Sequence, residues 1–271
     1  MCAGGIDAAV SALAGGAIED GDLAAMLGTS MCNGFISHEP RLSQRLVNFP
    51  YVVKGREYLY GFTGISTAGY SVRWFRDQLG VPREVLDENP EADPYKLLDG
   101  MASEVEIGSD NLIFLPHMMV GERAPYWDEY LRGGFIGLSV SHTRSHMFRS
   151  VLEGVAYAMR YSIDAARETG IKINRATLVD GGARSPLWRQ IITDVAGVGM
   201  DYIPGAQGAP LGDAILAGLG TGVLKDYHVI EDWLGEKVPM RPQYVEEYRE
   251  YYELYVKTLE AVKPLFKKFP Q

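Results

Sequence analysis

Cysteine is almost missing from this chain: Cys2 and Cys32 are the only two among 271 residues. Two cysteines build neither a disulfide scaffold nor a zinc cluster, so a packed core has to supply the stability. Their apolar surroundings read as small core positions rather than nucleophiles. Long hydrophobic runs are missing too. No stretch approaches a bilayer-spanning length, and no basic region precedes an apolar segment at the start, so the expectation is a cytoplasmic protein without a membrane role. Excess positive charge is the third absence. The 26 basic residues face 35 acidic ones for a net charge of −9, which argues against nucleic acid as a partner while allowing a local phosphate site. No Gly-x-Gly-x-x-Gly follows a strand, so a dinucleotide-binding dehydrogenase is poorly supported. Low-complexity segments and repeats are absent as well.

What remains has ordinary globular composition, 46% hydrophobic and 23% charged, with length for one large domain or two modest ones. Residues 6–13 are helix-compatible after Gly4-Gly5, with Asp7 placed to cap the helix or stand beside its free donors. Residues 23–27 and 31–37 read as strands joined by Gly28-Thr29-Ser30. That turn holds two hydroxyls and backbone N–H groups, the inventory of a phosphate clamp and also of a plain β-turn. Residues 41–54 look irregular, 58–62 a strand, 66–79 a helix, 82–93 an acidic connection, 95–104 a short helix and 112–115 a buried strand.

Residues 121–128, Gly-Glu-Arg-Ala-Pro-Tyr-Trp-Asp, form a turn-rich loop with exposed-looking aromatics that reads as a functional or interface loop more than core; Arg123 and Trp127 are expected to hold the loop against the core, with contact to a partner lobe the alternative. Ser141 is expected to cap a helix reaching about Thr169. His142 and His146 stand at i, i+4, a spacing that can hold a metal but has no third ligand nearby, so a polar helix start is preferred.

The chain is organised around residues 176–188. Thr177-Leu178-Val179 reads as a buried strand, Gly181-Gly182 as a sharp turn, Ser185 as an N-cap and Pro186 as the first residue of a helix to about Ala196. This build presents N–H groups and a positive dipole end to a ligand, although an ordinary βα turn looks the same. A strand at 200–203, a small-residue helix at 209–220 and a charged, tyrosine-rich docking helix at 242–269 complete the chain. Alternating strands and helices argue for an α/β fold with a largely parallel or mixed sheet.

Together these stretches resemble the FGGY family of carbohydrate kinases, most closely its xylulokinase-type members. Gly133-x-Phe135-x-Gly137-Leu138, seven residues, then His146-Met147-x-x-Ser150-Val151-Leu152-Glu153 carries every element of a family signature. Ala3-Gly4-Gly5-Ile6-Asp7 is similar to the segment with the catalytic aspartate, Leu27-Gly28-Thr29-Ser30 to the phosphate-contacting turn, and Val179-Asp180-Gly181-Gly182-Ala183 to the adenosine motif. The resemblance implies an actin-like, ribonuclease-H-like ATPase domain, a mixed sheet flanked by helices, forming the second lobe of a two-lobe kinase. Residues 1–271 would be that lobe, closed by the helix at 242–269. The first lobe, with a second phosphate motif and most of the sugar pocket, would be absent, and the abrupt apolar start at Met1 suits a domain boundary.

The resemblance also implies roles. Asp7 would be the base that takes the sugar hydroxyl proton, with Ala8 beside the substrate. Gly28, Thr29 and Ser30 would hold the β- and γ-phosphates. Gly69 and Arg73 would line the nucleotide, Gly181, Gly182 and Ala183 would let adenosine lie against bare backbone, and Ser185 would join them in binding the nucleotide. ATP and Mg²⁺ are the implied cofactors, and a sugar, with D-xylulose the first expectation, the implied substrate. The implied partner is the absent lobe; the loop near Tyr126 or the terminal helix could also serve a homodimer. The rival reading is a nucleotide-binding regulatory lobe without catalysis, against which intact Asp7 argues. An actin-like structural ATPase is disfavoured by the 133–153 signature.

Overall fold

The buried strand β1 (Asp22–Leu27) lies at the centre of the sheet. The computed structural model describes residues 4–55, 57–81, 87, 91–119, 121–206 and 208–269; Met1, Cys2, Ala3 and most of the 82–93 connection lie outside these. On one side of β1 come β2 (Met31–Ser37), β4 (Leu59–Ile65) and the edge strand β3 (Val47–Pro50). On the other come β7 (Arg175–Val179), β8 (Met200–Tyr202) and the second edge strand β9 (Val238–Met240). Strands β5 (Ile113–Leu115) and β6 (Gly134–Ile136) pair separately.

Among the described residues only β1 with β7 and β7 with β8 run parallel. Of the two expected arrangements, largely parallel or mixed, the sheet is the mixed one, and most of its pairs are antiparallel. The reason lies in the connections. Leu27 pairs with Met31 across the 28–30 turn, and so short a link allows only an antiparallel hairpin. β7 reaches β8 through the helix α5 (Pro186–Ala196), and a helical crossover is what a parallel pair requires.

Side chains on β1 alternate between the two faces of the sheet and so feed two cores. Leu23, Ala25 and Leu27 join the larger one, beneath α4 (Arg144–Arg167), α5 and α8 (Val245–Phe266). Ala24 and Met26 join the smaller one, beneath α1 (Asp7–Ala14), α6 (Ala209–Thr221) and α7 (Val229–Trp233). On the larger side α2 (Gly69–Leu79) and α3 (Pro94–Ser103) pack outside α4.

The long helix α4 starts at a capping box in which Thr143 and the His146 ring share a 2.8 Å hydrogen bond, so Thr143 replaces Ser141 as the cap. His142 accepts from Ser139 N–H and bonds the Asp110 carbonyl. The histidine pair thus shapes a helix start, and no group of three metal-ligating side chains forms among the described residues. Farther along α4, buried Glu153 accepts from Arg149 (2.9 Å), the Ser109 hydroxyl (2.8 Å) and Gly108 N–H (3.0 Å). Arg149 also reaches the Tyr248 hydroxyl on α8 at 3.1 Å. Tyr248, Tyr255, Leu259 and Phe266 are the buried stripe of α8, so its tyrosines dock this helix within the chain. No helix among the described residues is long and apolar enough to cross a membrane.

Candidate active site

Where β1 and β7 end side by side, their following turns and the first turn of α1 surround a cleft of about 590 Å³. Three segments distant in sequence meet there because the parallel β1–β7 pair brings both strand ends to one edge, the usual ligand position in such sheets. Asp7, Ala8, Gly28, Ser30, Cys32, Asp180 and Arg123 all contribute to its walls. Asp7 is exposed in the first turn of α1, and its carboxylate accepts from Ala8 N–H at 2.8 Å. The preceding residue, Ile6, holds the extended cap position, so Asp7 is the first helical residue and not the cap. Its helix is pinned from behind: a Cβ on Gly212 of α6 would lie 2.6 Å from Val10 Cγ1, so only glycine lets the two helices approach this closely.

The 28–30 turn is held by α2. Gly69 N–H donates to the Gly28 carbonyl and Tyr70 N–H to the Thr29 carbonyl, both at 3.0 Å. A side chain on Gly69 would strike that Gly28 carbonyl oxygen. Gly69 is thus the contact that seats α2 on the turn. Ser30 lines the main cleft, and Thr29 and Ser30 line an adjoining hollow of about 270 Å³. Arg73 is exposed on α2, its guanidinium 4.8 Å over the Tyr70 ring. Cys32 lies at the cleft wall, half-buried; burial pushes its thiol up, so it stays protonated and is a poor nucleophile.

The Gly-Gly turn divides its work. Gly181 is exposed, and a Cβ there would meet nothing. Gly182 faces inward, where a Cβ would come within 2.9 Å of the Leu27 carbonyl and the Trp188 ring. Ala183 is wholly buried. Ser185 caps α5, accepting from Trp188 N–H at 3.0 Å. Gly182 is therefore required by the core, whereas Gly181 is exposed backbone with open space beside it.

Two cleft residues had no ligand role in the sequence reading. Asp180 takes φ +77°, a conformation non-glycine residues rarely adopt and one that clusters at functional sites. Its carboxyl is half-buried and pushed up by that burial. An aspartate between a strand end and a Gly-Gly turn was the available signal. Arg123 was read as part of a structural loop; its charge beside a hydroxyl-bearing turn becomes visible only in three dimensions. In the same loop Tyr126 is buried, correcting the expectation of exposed aromatics, and Trp127 is exposed at the cleft mouth.

The model describing the C-terminal domain of the FGGY family of carbohydrate kinases matches residues 23–221. The chain is 31% identical to the gluconokinase of Bacillus subtilis over 234 residues, covering 86% of this chain and 45% of that protein. It is 31% identical to a xylulose kinase of Staphylococcus epidermidis over 263 residues, covering 96% and 50%. The crystal structure of a xylulose kinase from Rhodospirillum rubrum superposes with a TM-score of 0.81 at 28% identity, covering 96% of this chain and 51% of that one. The chain spans about half the length of the curated relatives it matches.

Proposed function

This chain belongs to the FGGY family of carbohydrate kinases, and on that premise we propose that it forms the lobe that binds ATP and supplies the base for phosphoryl transfer to a sugar hydroxyl. The observation that carries the reading is the sharing of one cleft by Asp7, the 28–30 turn and the end of β7. A transferring phosphoryl group needs donors on its oxygens, and an acceptor for the attacking hydroxyl's proton. Asp7 is exposed at the cleft and free to accept that proton from a bound sugar. Ala8 gives the wall beside it a small, half-buried surface. Thr29 and Ser30 offer hydroxyl donors for phosphate oxygens, and Gly28 keeps the turn narrow. Exposed Gly181 leaves room for the nucleoside; Gly69, Gly182, Ala183 and Ser185 hold the walls in place, and Arg73 stands exposed on α2, outside the lining of both hollows.

The residues present fit a triphosphate: open backbone at Gly181, two hydroxyls on a fixed turn, and a guanidinium nearby. Mg²⁺ bound with ATP would neutralise phosphate charge. No cage of three ligating side chains forms among the described residues, so the ion would arrive with ATP and be held mainly by phosphate oxygens and water. The sugar pocket is completed by an N-terminal lobe that this chain would close upon, excluding water. The substrate we propose is D-xylulose or a related pentulose, and the setting the cytoplasm. A coupled assay of ATP turnover across pentuloses, aldonates such as gluconate, and polyols, with both lobes present, tests this. A single preferred pentulose supports it; preference for gluconate moves the substrate, and no turnover with any sugar overturns the kinase reading.

A further inference from the structure

The 121–128 loop is held stiffly at the cleft. Glu122 and Asp128 exchange backbone hydrogen bonds of 2.9 and 3.2 Å, and the Arg123 carbonyl accepts from Tyr126 and Trp127 N–H at 2.8 and 3.0 Å. Gly64 N–H donates to the Ala124 carbonyl at 2.9 Å, which ties the loop to β4. The buried Glu122 carboxylate accepts from Ser66 N–H (3.1 Å) and the Ser66 hydroxyl (3.0 Å) and meets His117 Nδ1 at 3.0 Å. The Arg123 side chain takes no part in this. It is exposed, and among the described residues its guanidinium has no hydrogen-bond or ion-pair partner.

Arg123 lines both the main cleft and the adjoining hollow, and among the described residues it is the only cationic side chain on either wall. Ser30 and Cys32 are likewise shared between the two, so Arg123 and the 28–30 turn line the same pair of hollows. The other charges on the main cleft, Asp7 and Asp180, are negative, in a chain that is itself at −9. The turn contributes neutral donors only. A triphosphate at that turn would meet its positive side chain at Arg123, and a planar guanidinium matches two phosphate oxygens at once. Because the loop is already ordered, little freedom is lost when the contact forms.

We propose that Arg123 binds the terminal phosphoryl group of ATP at the Gly28-Thr29-Ser30 turn, an inference that rests on the nucleotide reading above. The test is titration calorimetry of the 271-residue chain with Mg·AMPPNP and, separately, Mg·ADP, comparing wild type with Arg123→Gln and Arg123→Lys. Losing a charge-assisted hydrogen bond should weaken AMPPNP binding about ten-fold or more in Arg123→Gln while ADP stays within about two-fold. Arg123→Lys should recover part of the loss. An unchanged AMPPNP affinity, or an equal loss for both nucleotides at unchanged melting temperature, overturns the assignment while leaving the nucleotide reading standing. Failure of the wild-type chain to bind either nucleotide overturns both.

Discussion

Two adjacent glycines carry opposite assignments here, and single substitutions separate them. A Cβ on Gly181 meets open space, whereas one on Gly182 meets Leu27 and Trp188 in the core. Gly181→Ala should leave the melting temperature within about 1 °C but weaken nucleotide binding, and Gly182→Ala should lower the melting temperature by several degrees, since forced overpacking costs about 1–3 kcal/mol. Thermal melts and ADP titration of the pair check this; a stable Gly182→Ala would refute the packing account. A second residue-scale prediction concerns pH. His228 is held above its ordinary pKa by its hydrogen bond to Asp226, then by that to Glu19, against the effect of burial. Such a histidine stabilises the fold fully below its unfolded pKa and loses that contribution as pH rises through the raised folded value. Glu19, lowered first by the Tyr58 hydroxyl, and Asp226, lowered first by His228 N–H, remain ionised through that window. His228→Gln should therefore depress the melting temperature more at about pH 5.5 than at about pH 8.5. Equal depression at both would contradict it.

At the scale of elements, the family signature turns out to carry architecture. Its last residue, Glu153, sits wholly buried on α4 and joins the 108–109 turn, Arg149 and, both directly and through Arg149, Tyr248 of α8. Removing one member of a buried pair leaves the other charge uncompensated, so Glu153→Ala should cost about 3–5 kcal/mol in urea unfolding. A loss below about 1 kcal/mol would mean the network is not structural. The elements readable in the sequence were those with strong local signals: the 28–30 hairpin, the 176–196 strand-turn-helix and the periodic helices. Strands β3 and β9 were not readable, and the reason is shared. Pro50 and Pro239 lie in them, and proline weakens a strand signal while being tolerated at sheet edges, which is where both strands sit. The site was legible in part. Asp7 and Ser30 were found as separate motifs, but their convergence with Asp180 and Arg123 depends on the parallel β1–β7 pairing, which no local pattern encodes.

At the scale of the whole molecule, one sheet serves two cores and leaves its ligand cleft open at the ends of β1 and β7. An open cleft with one lobe's worth of contacts is suited to bind a nucleotide and, by itself, poorly suited to exclude water from a transferring phosphoryl group. The central claim is that Asp7 is the base of that transfer once a sugar-binding lobe closes over it. Its most direct test is sugar-dependent ATP turnover by the two-lobe assembly carrying Asp7→Asn, beside calorimetry of ADP binding to the same protein. The account predicts that kcat falls by about 10²–10⁴ while ADP affinity is unchanged, because the base acts on the sugar hydroxyl and not on the nucleotide. Turnover within about two-fold of wild type at unchanged ADP affinity would contradict it.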